Sequence, residues 1–410
     1  MKLRSISAPA LVALAFATAC SAGGNKGDDI DIKSDGGGDT NGFDPAAGDA
    51  WELEANPDSL TIDPEKDNDG DGYVFKDDCN DGNPEVNPGA YEVPGDGVDN
   101  DCNGKVDEVD DCDSVVDLNH YKSTNGLDFA KALGLCRTAT AGATGKDKTW
   151  GVISAQLVRA DGSALVTGQS VQHGILKKFG PLGPRAGKNM IVLSSGTART
   201  PDYPEFSEPR TKSFSVSTNE VTPPAGHPQN AGGCSEPFKK TANDSVNLKL
   251  KIRVPTNANS FKFDFDFFSS EYSTFVCSSY NDTFVAILDS KKPLDPKYAK
   301  NISFDSKGSP VNVNSGFFEA CTAGTYKGKT FPCSKGTAEL VGTGFWDTDP
   351  KQNGATSWLE TKAPVIPGEE ITIQFMIWDT GDHILDSTVI LDNWRWDAKP
   401  TTGPVTDRPK

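Results

Sequence analysis

The sequence predicts a mostly β protein, in which a β-sandwich of the jelly-roll type follows a small segment rich in loops. The first observation is Phe261–Phe267, where phenylalanine alternates strictly with charged residues, as on a strand with one face against a core. The second is a series of short strand candidates separated by Gly, Pro and Asn turns, at residues 191–194, 246–254, 283–288, 371–378 and 388–394. The alternation predicts that the phenylalanines face the core and that Asp264 and Asp266 face water.

The acidic residues of the chain are concentrated in one part of it. The chain has 410 residues and a formal net charge of -18, and residues 21–113 contain 28 of the 58 Asp and Glu but 5 of the 40 Lys and Arg. The length predicts more than one domain. Because an acidic chain repels phosphate backbones, we expect no nucleic acid partner, and cations are favoured instead.

The first residues are typical of an export signal followed by a tether. Lys2 and Arg4 precede an apolar run at 8–17, which is too short to span a bilayer as a stable helix. Residues 1–19 are therefore predicted to be a signal peptide. Residues 20–61 are rich in Gly, Asp, Asn and Ser and poor in apolar residues, so we expect a flexible acidic tether.

The end of the signal segment carries a lipidation motif. Ala17-Thr18-Ala19-Cys20 resembles a bacterial lipobox, which implies that the thiol of Cys20 receives a lipid. Ser21 follows, which in such lipoproteins favours delivery to the outer membrane. We therefore expect an exported lipoprotein at the outer membrane or cell surface, with the lipid bilayer as partner through acylated Cys20. A plain secretory signal with a chance cysteine is the alternative.

Two stretches within residues 62–113 have the spacing of calcium-binding loops. Such a loop places oxygen ligands at positions 1, 3, 5, 7, 9 and 12, and a glycine at position 6 allows a sharp turn. The first stretch offers the side chains of Asp67, Asp69, Asp71 and Asp78 and the carbonyl group of Tyr73. The second offers Asp99, Asp101, Asn103, Asp107 and Asp110 and the carbonyl group of Lys105.

The surroundings of the two loops exclude the opening helix pair of an EF-hand. Pro84, Pro88 and Pro94 lie between them and prevent flanking helices. We therefore expect a segment that calcium and disulfide bonds staple into a fixed structure, and that loosens when calcium is removed. The alternative is a solvated acidic linker.

Eight cysteines remain after Cys20, and an even number in an exported chain predicts disulfide bonds. A zinc site is disfavoured because the chain has no Cys-x-x-Cys pair and only 4 His. The connectivity is not fixed by sequence alone. We favour Cys79–Cys102, which lie in one motif, Cys112–Cys136 and Cys321–Cys333, and Cys234–Cys277 then follows by elimination.

The run from Asp67 to Glu108 resembles the MopE-type metal-binding motif of exported bacterial proteins. The resemblance rests on Asp67-x-Asp69-x-Asp71-Gly72, Asp78-Cys79-Asn80-Asp81, Pro88-Gly89-Ala90 and Asp99-Asn100-Asp101-Cys102-x-Gly104. It implies metal binding, and the family carries an association with copper. Because no His or Met lies in this run and oxygen ligands suit calcium, we predict calcium and keep copper as the weaker alternative.

Residues 114–397 contain three blocks that resemble the choice-of-anchor L domain, a module of bacterial surface proteins. The blocks are 190–196, 267–272 with 280–282, and 379–387 with 391–393, so that the resemblance covers roughly Leu127 to Trp396. One short helix is predicted at Leu127–Leu133, with Asn125 near its start.

The family resemblance also bears on the end of the chain. Choice-of-anchor domains usually precede a C-terminal anchor, whereas residues 398–410 carry no apolar tail and are predicted to be disordered. The N-terminal lipid is therefore the expected anchor.

A second group of polar residues accompanies the predicted strands of the main domain. One interpretation is another oxygen-lined cation site, and the other is turn chemistry, in which Asp and Asn bond to their own backbone. Both stay open at this point. The group consists of Glu271, Asn281, Asp282, Asp379, Asp382, Asp386 and Asp392.

Motifs of catalysis are missing from the sequence, which contains no G-x-S-x-G, no H-E-x-x-H and no P-loop. His383 lies between Asp382 and Asp386, but no nucleophile accompanies it. The sequence therefore favours a non-catalytic, calcium-binding surface protein that acts as a binding, adhesion or structural module, with a glycan or protein as ligand. The alternatives are a glycan-active hydrolase with paired carboxylates and a copper-binding surface protein.

Overall fold

The computed structural model describes residues 63–113, 120–209, 220–231, 234, 240–345 and 352–409. The predicted signal peptide, Cys20 and the predicted tether lie outside the described residues. None of the helices in the described ranges has the length and apolar character needed to cross a bilayer.

The described residues contain strands and one α-helix, which we number in chain order. The helix α1 is Gly126–Leu133. The strands are β1 Gly151–Val158, β2 His173–Leu176, β3 Met190–Ser194, β4 Asn243–Arg253, β5 Ser260–Ser269, β6 Thr283–Asp289, β7 Val311–Asn312, β8 Ala320–Cys321, β9 Gly324–Tyr326, β10 Lys329–Phe331, β11 Gly354–Ala355, β12 Leu359–Pro364, β13 Glu370–Asp379, β14 Ser387–Asp397 and β15 Val405–Asp407.

Two antiparallel sheets form the sandwich. The smaller sheet has the order β1-β4-β13-β6-β7, and the larger has the order β15-β12-β5-β14-β3-β2, with β11 and β8 attached to it. Successive long strands alternate between the sheets, because β4, β6 and β13 belong to one and β5, β12 and β14 to the other. The predicted mostly β fold is thus confirmed, with the strand alternation of a jelly roll.

The core lies between the two sheets and is rich in aromatic rings. Phe263 of β5 meets Phe375 of β13 with ring centroids 5.0 Å apart, and Phe265 meets Phe284 of β6 at 5.1 Å. The predicted alternation in β5 is therefore confirmed for its phenylalanines, which are fully buried. Packing of apolar side chains from both sheets is the main source of stability in such a layered fold.

The expectation that Asp264 and Asp266 face water is wrong. Both are fully buried, because the second face of β5 is also covered. Arg185 and Arg395 bond to the carboxylate of Asp264 at 3.1 and 2.8 Å, and the hydroxyl of Thr356 donates to Asp266 at 3.0 Å. Alternation separates the two faces of a strand, but it does not tell whether the polar face is exposed.

The predicted helix is confirmed and begins one residue before the predicted position. The side chain of Asn125 accepts a hydrogen bond from the backbone N–H of Leu127, which caps the first turn. Gly134 ends the helix with a left-handed backbone conformation (φ 101°), which favours glycine. Phe129 and Leu133 are buried and join the core of the sandwich.

The predicted disorder of residues 398–410 is also wrong for the part that the structure describes. Residues 405–407 form β15, which pairs antiparallel with β12. Arg408 then donates to the carbonyl group of Ser357 at 3.1 Å and pairs with Glu319 at 3.1 Å. The segment has few apolar side chains to bury. It is held instead by the main-chain pairing of β15 and by the guanidinium of Arg408.

All four favoured disulfide bonds are present. They join Cys79 to Cys102, Cys112 to Cys136, Cys234 to Cys277 and Cys321 to Cys333, with Cα atoms 5.1–5.6 Å apart. The separations lie in the ordinary range for a disulfide.

The predicted boundary near residue 113 does not divide the described residues into two compact units, since residues 62–410 form one. The hydroxyl of Tyr73 donates to the carbonyl group of Lys148 at 2.7 Å. Tyr91 and Asn257 exchange two hydrogen bonds of 2.9 Å each. The loop-rich segment is therefore docked on the sandwich by polar contacts.

Candidate metal centre

The first predicted loop folds into turns that the carboxylates of its aspartates hold by hydrogen bonds to the backbone. Asp67 accepts hydrogen bonds from the N–H groups of Gly70 and Gly72 at 2.6 and 3.0 Å. Asp69 Oδ1 accepts from the Asp71 N–H at 3.2 Å, and Asp71 Oδ1 accepts from the Tyr73 N–H at 2.8 Å. Gly70 and Gly72 have positive φ angles of 84° and 97°, which explains the need for glycine at these turns.

Carboxylates of this loop lie close together, and three of them have an oxygen without a hydrogen-bond partner. The side chains of Asp67, Asp69 and Asp71 each bring a carboxylate oxygen within 4.8 Å of the others, and so do those of Asp69, Asp78 and Asp81. Asp78 Oδ1 accepts from the Asn80 N–H at 2.8 Å. The Oδ2 atoms of Asp69, Asp71 and Asp78 are buried and have no hydrogen-bond partner. Buried acceptors of this kind are typical of a site for a positively charged ligand.

The electrostatics of this group disfavour ionised carboxylates when no cation is bound. Burial raises the pKa of Asp71 to about 6, with a further contribution from the neighbouring charges of Asp69 and Asp78. Burial, together with Asp69 and Asp81, also raises the pKa of Asp78. A divalent cation among the oxygens would reverse both effects, because it favours the ionised form.

The second predicted loop uses its carboxylates differently. Glu92, Asp99 and Asp101 bring carboxylate oxygens within 4.8 Å of one another. Glu92 is already occupied, because Oε1 accepts from the N–H groups of Asn100 and Asp101 at 2.8 and 3.1 Å, and Oε2 accepts from that of Asp107 at 2.9 Å. Asp99 accepts from the N–H groups of Asn103 and Gly104.

A guanidinium group from the sandwich lies against this second loop. Arg137 pairs with Asp101, with Asp110 at 2.7 Å and with Glu108 at 3.6 Å. Its guanidinium also stacks over Trp150, 5.1 Å from the ring centroid. The positive charge that the second loop requires is therefore partly supplied by the chain itself.

Several predicted ligands of the second loop lie outside its acidic group. Asp107 accepts from the backbone N–H groups of Gly95 and Asp96 at 2.7 and 3.1 Å, and Asp110 bonds to Arg137. Asn103 accepts from the N–H group of Lys105 at 3.0 Å, which is turn geometry. The predicted ligands omitted Asp81 and Glu92, although both lie in the run from Asp67 to Glu108 that resembles the motif.

The second predicted cluster is only partly brought together. Glu271, Asn281, Asp282, Asp379 and Asp386 are buried at one end of the sandwich. Asp382 lies beside them but is half-buried, and its Oδ1 accepts from the Ile384 N–H at 3.0 Å. Asp392 lies elsewhere, where it accepts hydrogen bonds from the backbone of Arg185 and Ala186.

Charges in this cluster repel one another. Burial raises the pKa of Glu271 well above its usual range, and the charge of Asp282 raises it further. Burial, Asp282 and Glu271 do the same to Asp379. Asp244 is a neighbour that the sequence interpretation missed, and it bonds to Nδ1 of His383 at 2.6 Å.

Comparison with known protein families agrees with the geometry of both parts of the chain. The model of the choice-of-anchor L domain matches residues 184–395, just over half of the chain. The model of the MopE-type metal-binding motif matches residues 78–108. No curated protein sequence matches the chain.

Among solved structures, the chain is similar to the enzymatically active domain of tailspike protein 4 of bacteriophage CBA120. The identity is 10%, the TM-score is 0.18, and the match covers 60% of this chain and 19% of that chain. The chain thus spans about a fifth of the length of that protein, and a likeness of this size carries no argument.

Proposed function

The chain belongs to the choice-of-anchor L domain family, and from this premise we propose that it is a lipid-anchored bacterial surface protein that binds calcium. A surface-associated module with a metal-binding motif is what the two family matches imply. Calcium, the anchor and the role of the sandwich as a binding or adhesion module are the further steps of the proposal.

One observation carries the assignment of the metal centre to the first loop. The Oδ2 atoms of Asp69, Asp71 and Asp78 are buried and unpartnered, while their Oδ1 atoms hold the turns in place. Three carboxylate oxygens that are fixed before the ion arrives form an oxygen-only site for a hard cation.

The donor atoms favour calcium over copper. Copper sites use imidazole, thiolate or thioether ligands, and the motif contains neither His nor Met. The sulfur atoms of Cys79 and Cys102 lie near Asp78, but they form a disulfide bond and offer no thiolate. The half-buried position of Asp67 and the small number of fixed ligands support a weak site, with a dissociation constant on the order of 10⁻⁴ to 10⁻³ M.

The hydrolase alternative finds less support in the geometry. A cavity of about 330 Å³ is lined by Asp113, Asp392 and Trp394, the arrangement that a glycan hydrolase would use. The backbone N–H of Asn189 donates to Asp113 at 2.8 Å, and that of Ala186 donates to Asp392 at 3.1 Å. Both carboxylates therefore position the segment 185–189, which favours a structural role for them.

Calorimetric titration with calcium and with copper tests the proposal. The unaltered protein should release or absorb heat with calcium, and Asp71→Asn should weaken binding at least tenfold because it removes a charged ligand. Glu85→Gln, at an exposed position of the same motif, is the matched control and should bind normally. No calcium heat, together with tight copper binding, would reverse the metal assignment.

A further inference from the structure

Four carboxylates converge where strands of both sheets end. Glu271 follows β5, Asp282 precedes β6, Asp379 is the last residue of β13, and Asp386 precedes β14. Because β5 and β14 belong to the larger sheet and β6 and β13 to the smaller, the group lies at one end of the sandwich, where the sheets meet. Glu271 and Asp282 are in direct contact, since the backbone N–H of Asp282 donates to Glu271 Oε2 at 3.0 Å.

The four side chains are buried without a compensating charge. Their exposed fractions are 1%, 0%, 2% and 4%, in the order Glu271, Asp282, Asp379 and Asp386. Throughout the described ranges, no lysine or arginine forms an ion pair with any of the four. Buried ionised carboxylates are strongly unfavourable unless they are paired or coordinate a metal.

Orphaned oxygens point into the same region. The Oδ1 atoms of Asp282 and Asp379 are buried and have no hydrogen-bond partner, and both amide atoms of Asn281 are in the same condition. The other oxygen of Asp282 accepts from the hydroxyl of Ser195 at 3.3 Å, so the side chain is held in one orientation. Buried acceptors that converge on one region without hydrogen-bond partners are typical of a site for a positively charged ligand.

Turn chemistry does not account for these oxygens, as a comparison within the chain demonstrates. Asp305 is a turn aspartate: its Oδ1 accepts from the N–H groups of Lys307 and Ser309 at 2.9 and 2.8 Å, and its Oδ2 from that of Gly316 at 3.1 Å. Both of its oxygens are thus satisfied by backbone. The unpartnered oxygens of Asp282 and Asp379 have no such role, which separates them from the turn residue Asp382.

We propose that Glu271, Asp282, Asp379 and Asp386 bind a second calcium ion, which joins the ends of the two sheets. The donors are carboxylate oxygens, which suit a hard divalent cation, and calcium accepts irregular sets of such ligands more readily than magnesium. Gly196 belongs to the same arrangement, because a Cβ atom there would overlap the carboxylate of Asp386. The site depends on residues of the sandwich alone and is separate from the motif at residues 62–113.

Counting bound ions by native mass spectrometry in the presence of calcium tests the proposal. Three versions of the full chain are compared: the unaltered protein, a motif variant with Asp69→Asn and Asp71→Asn, and a sandwich variant with Asp282→Asn and Asp379→Asn. We expect each variant to hold one calcium ion fewer than the unaltered protein. Asp289→Asn, an exposed carboxylate at the opposite end of β6, is the matched control and should keep all ions.

Thermal unfolding distinguishes a calcium site from a cluster of carboxylates that share protons and bind no ion. If calcium binds the sandwich, it should raise the melting temperature of the motif variant, and it should raise that of the sandwich variant less than that of the unaltered protein. A motif variant that binds no calcium and gains no stability from it overturns the proposal. The motif variant keeps the sandwich intact, so this measurement decides even if the sandwich variant fails to fold. If the motif variant loses its calcium and the sandwich variant loses none, the result counts against this site and in favour of the first.

Discussion

The Nε atom of Arg137 donates a 2.7 Å hydrogen bond to Oδ2 of Asp110, and the same guanidinium pairs with the buried carboxylate of Asp101. Arg137 follows the Cys112–Cys136 disulfide, so a covalent and an ionic link join the motif to the sandwich side by side. The two loops of the motif therefore differ: the first leaves oxygens without partners, whereas the second meets a cation from its own chain.

Replacing Arg137 with Met should destabilise the calcium-free protein, because Asp101 would keep a buried charge without a partner. We expect a loss of about 1–3 kcal/mol in the free energy of unfolding, measured in urea with a chelator present. Calcium should reduce the difference in the free energy of unfolding between Arg137→Met and the unaltered protein, since an ion can replace the guanidinium. Arg185→Met, which removes a partner of Asp264 instead, is the control. An Arg137→Met deficit that calcium leaves unchanged would contradict the interpretation.

Calcium binding by the first loop should strengthen as the pH rises from 5 to 7. The pKa of Asp71 is raised to about 6 in the folded, calcium-free protein, above its ordinary value of 3.8. The protonated carboxyl of Asp71 therefore stabilises the calcium-free fold below pH 4, and this contribution to the free energy of unfolding is lost as the pH rises through 6. Calcium competes with the proton, so its affinity follows the opposite trend. Titrations at several pH values check this, and a pH-independent affinity would disagree with it.

Cys20→Ser should release the protein from membranes, because the proposal assigns the lipid to this thiol. Fractionation of cells that produce the variant, followed by detection of the protein in soluble and membrane fractions, measures the effect. Ser21→Ala, which alters the neighbouring residue and keeps the thiol, should stay in the membrane fraction. Normal processing and membrane partitioning of Cys20→Ser would remove the basis for lipid anchoring.

The motif should become sensitive to protease when its calcium ligands are removed, while the sandwich stays intact. The variant with Asp69→Asn and Asp71→Asn should be cut within residues 63–110 in the presence of calcium. The motif has few buried apolar side chains, chiefly Tyr73, Val86 and Ala90, and must rely on its ion and its disulfide. The core of the sandwich has its own aromatic packing. Simultaneous digestion of both parts would indicate that they unfold as one unit.

The strands with the clearest periodic patterns could be predicted from the sequence. In β5, phenylalanine recurs at every second residue, and in β4 Val, Leu and Ile do so from 246 to 252. The strands β6, β13 and β14 contain consecutive apolar residues, which are typical of buried strands. The acidic loops were predictable because backbone turns fix the spacing of Asp and Gly. The cysteine pairs could be favoured because three of them are local.

Relationships between distant residues were not predictable in this way. Nothing near Asp101 indicates that Arg137 supplies its partner, and nothing near Asp264 indicates that Arg185 and Arg395 cover it. These contacts depend on how loops pass over the sheets, which local patterns do not encode. The same reason explains why Asp392, predicted as part of the second cluster, bonds instead to the backbone of residue 186.

The short strand β15 has a consequence for how copies of this protein behave when they are crowded on a surface. Without it, β12 would be the outer strand of the larger sheet and would present a row of free N–H and C=O groups. Residues 405–407 occupy that row opposite residues 360–362, and Arg408 fastens the segment to Glu319. An open strand edge is a template for pairing with a neighbouring molecule and for aggregation. With β15 in place, the outer strand at this edge is only 3 residues long, which leaves a neighbouring molecule fewer backbone groups to pair with.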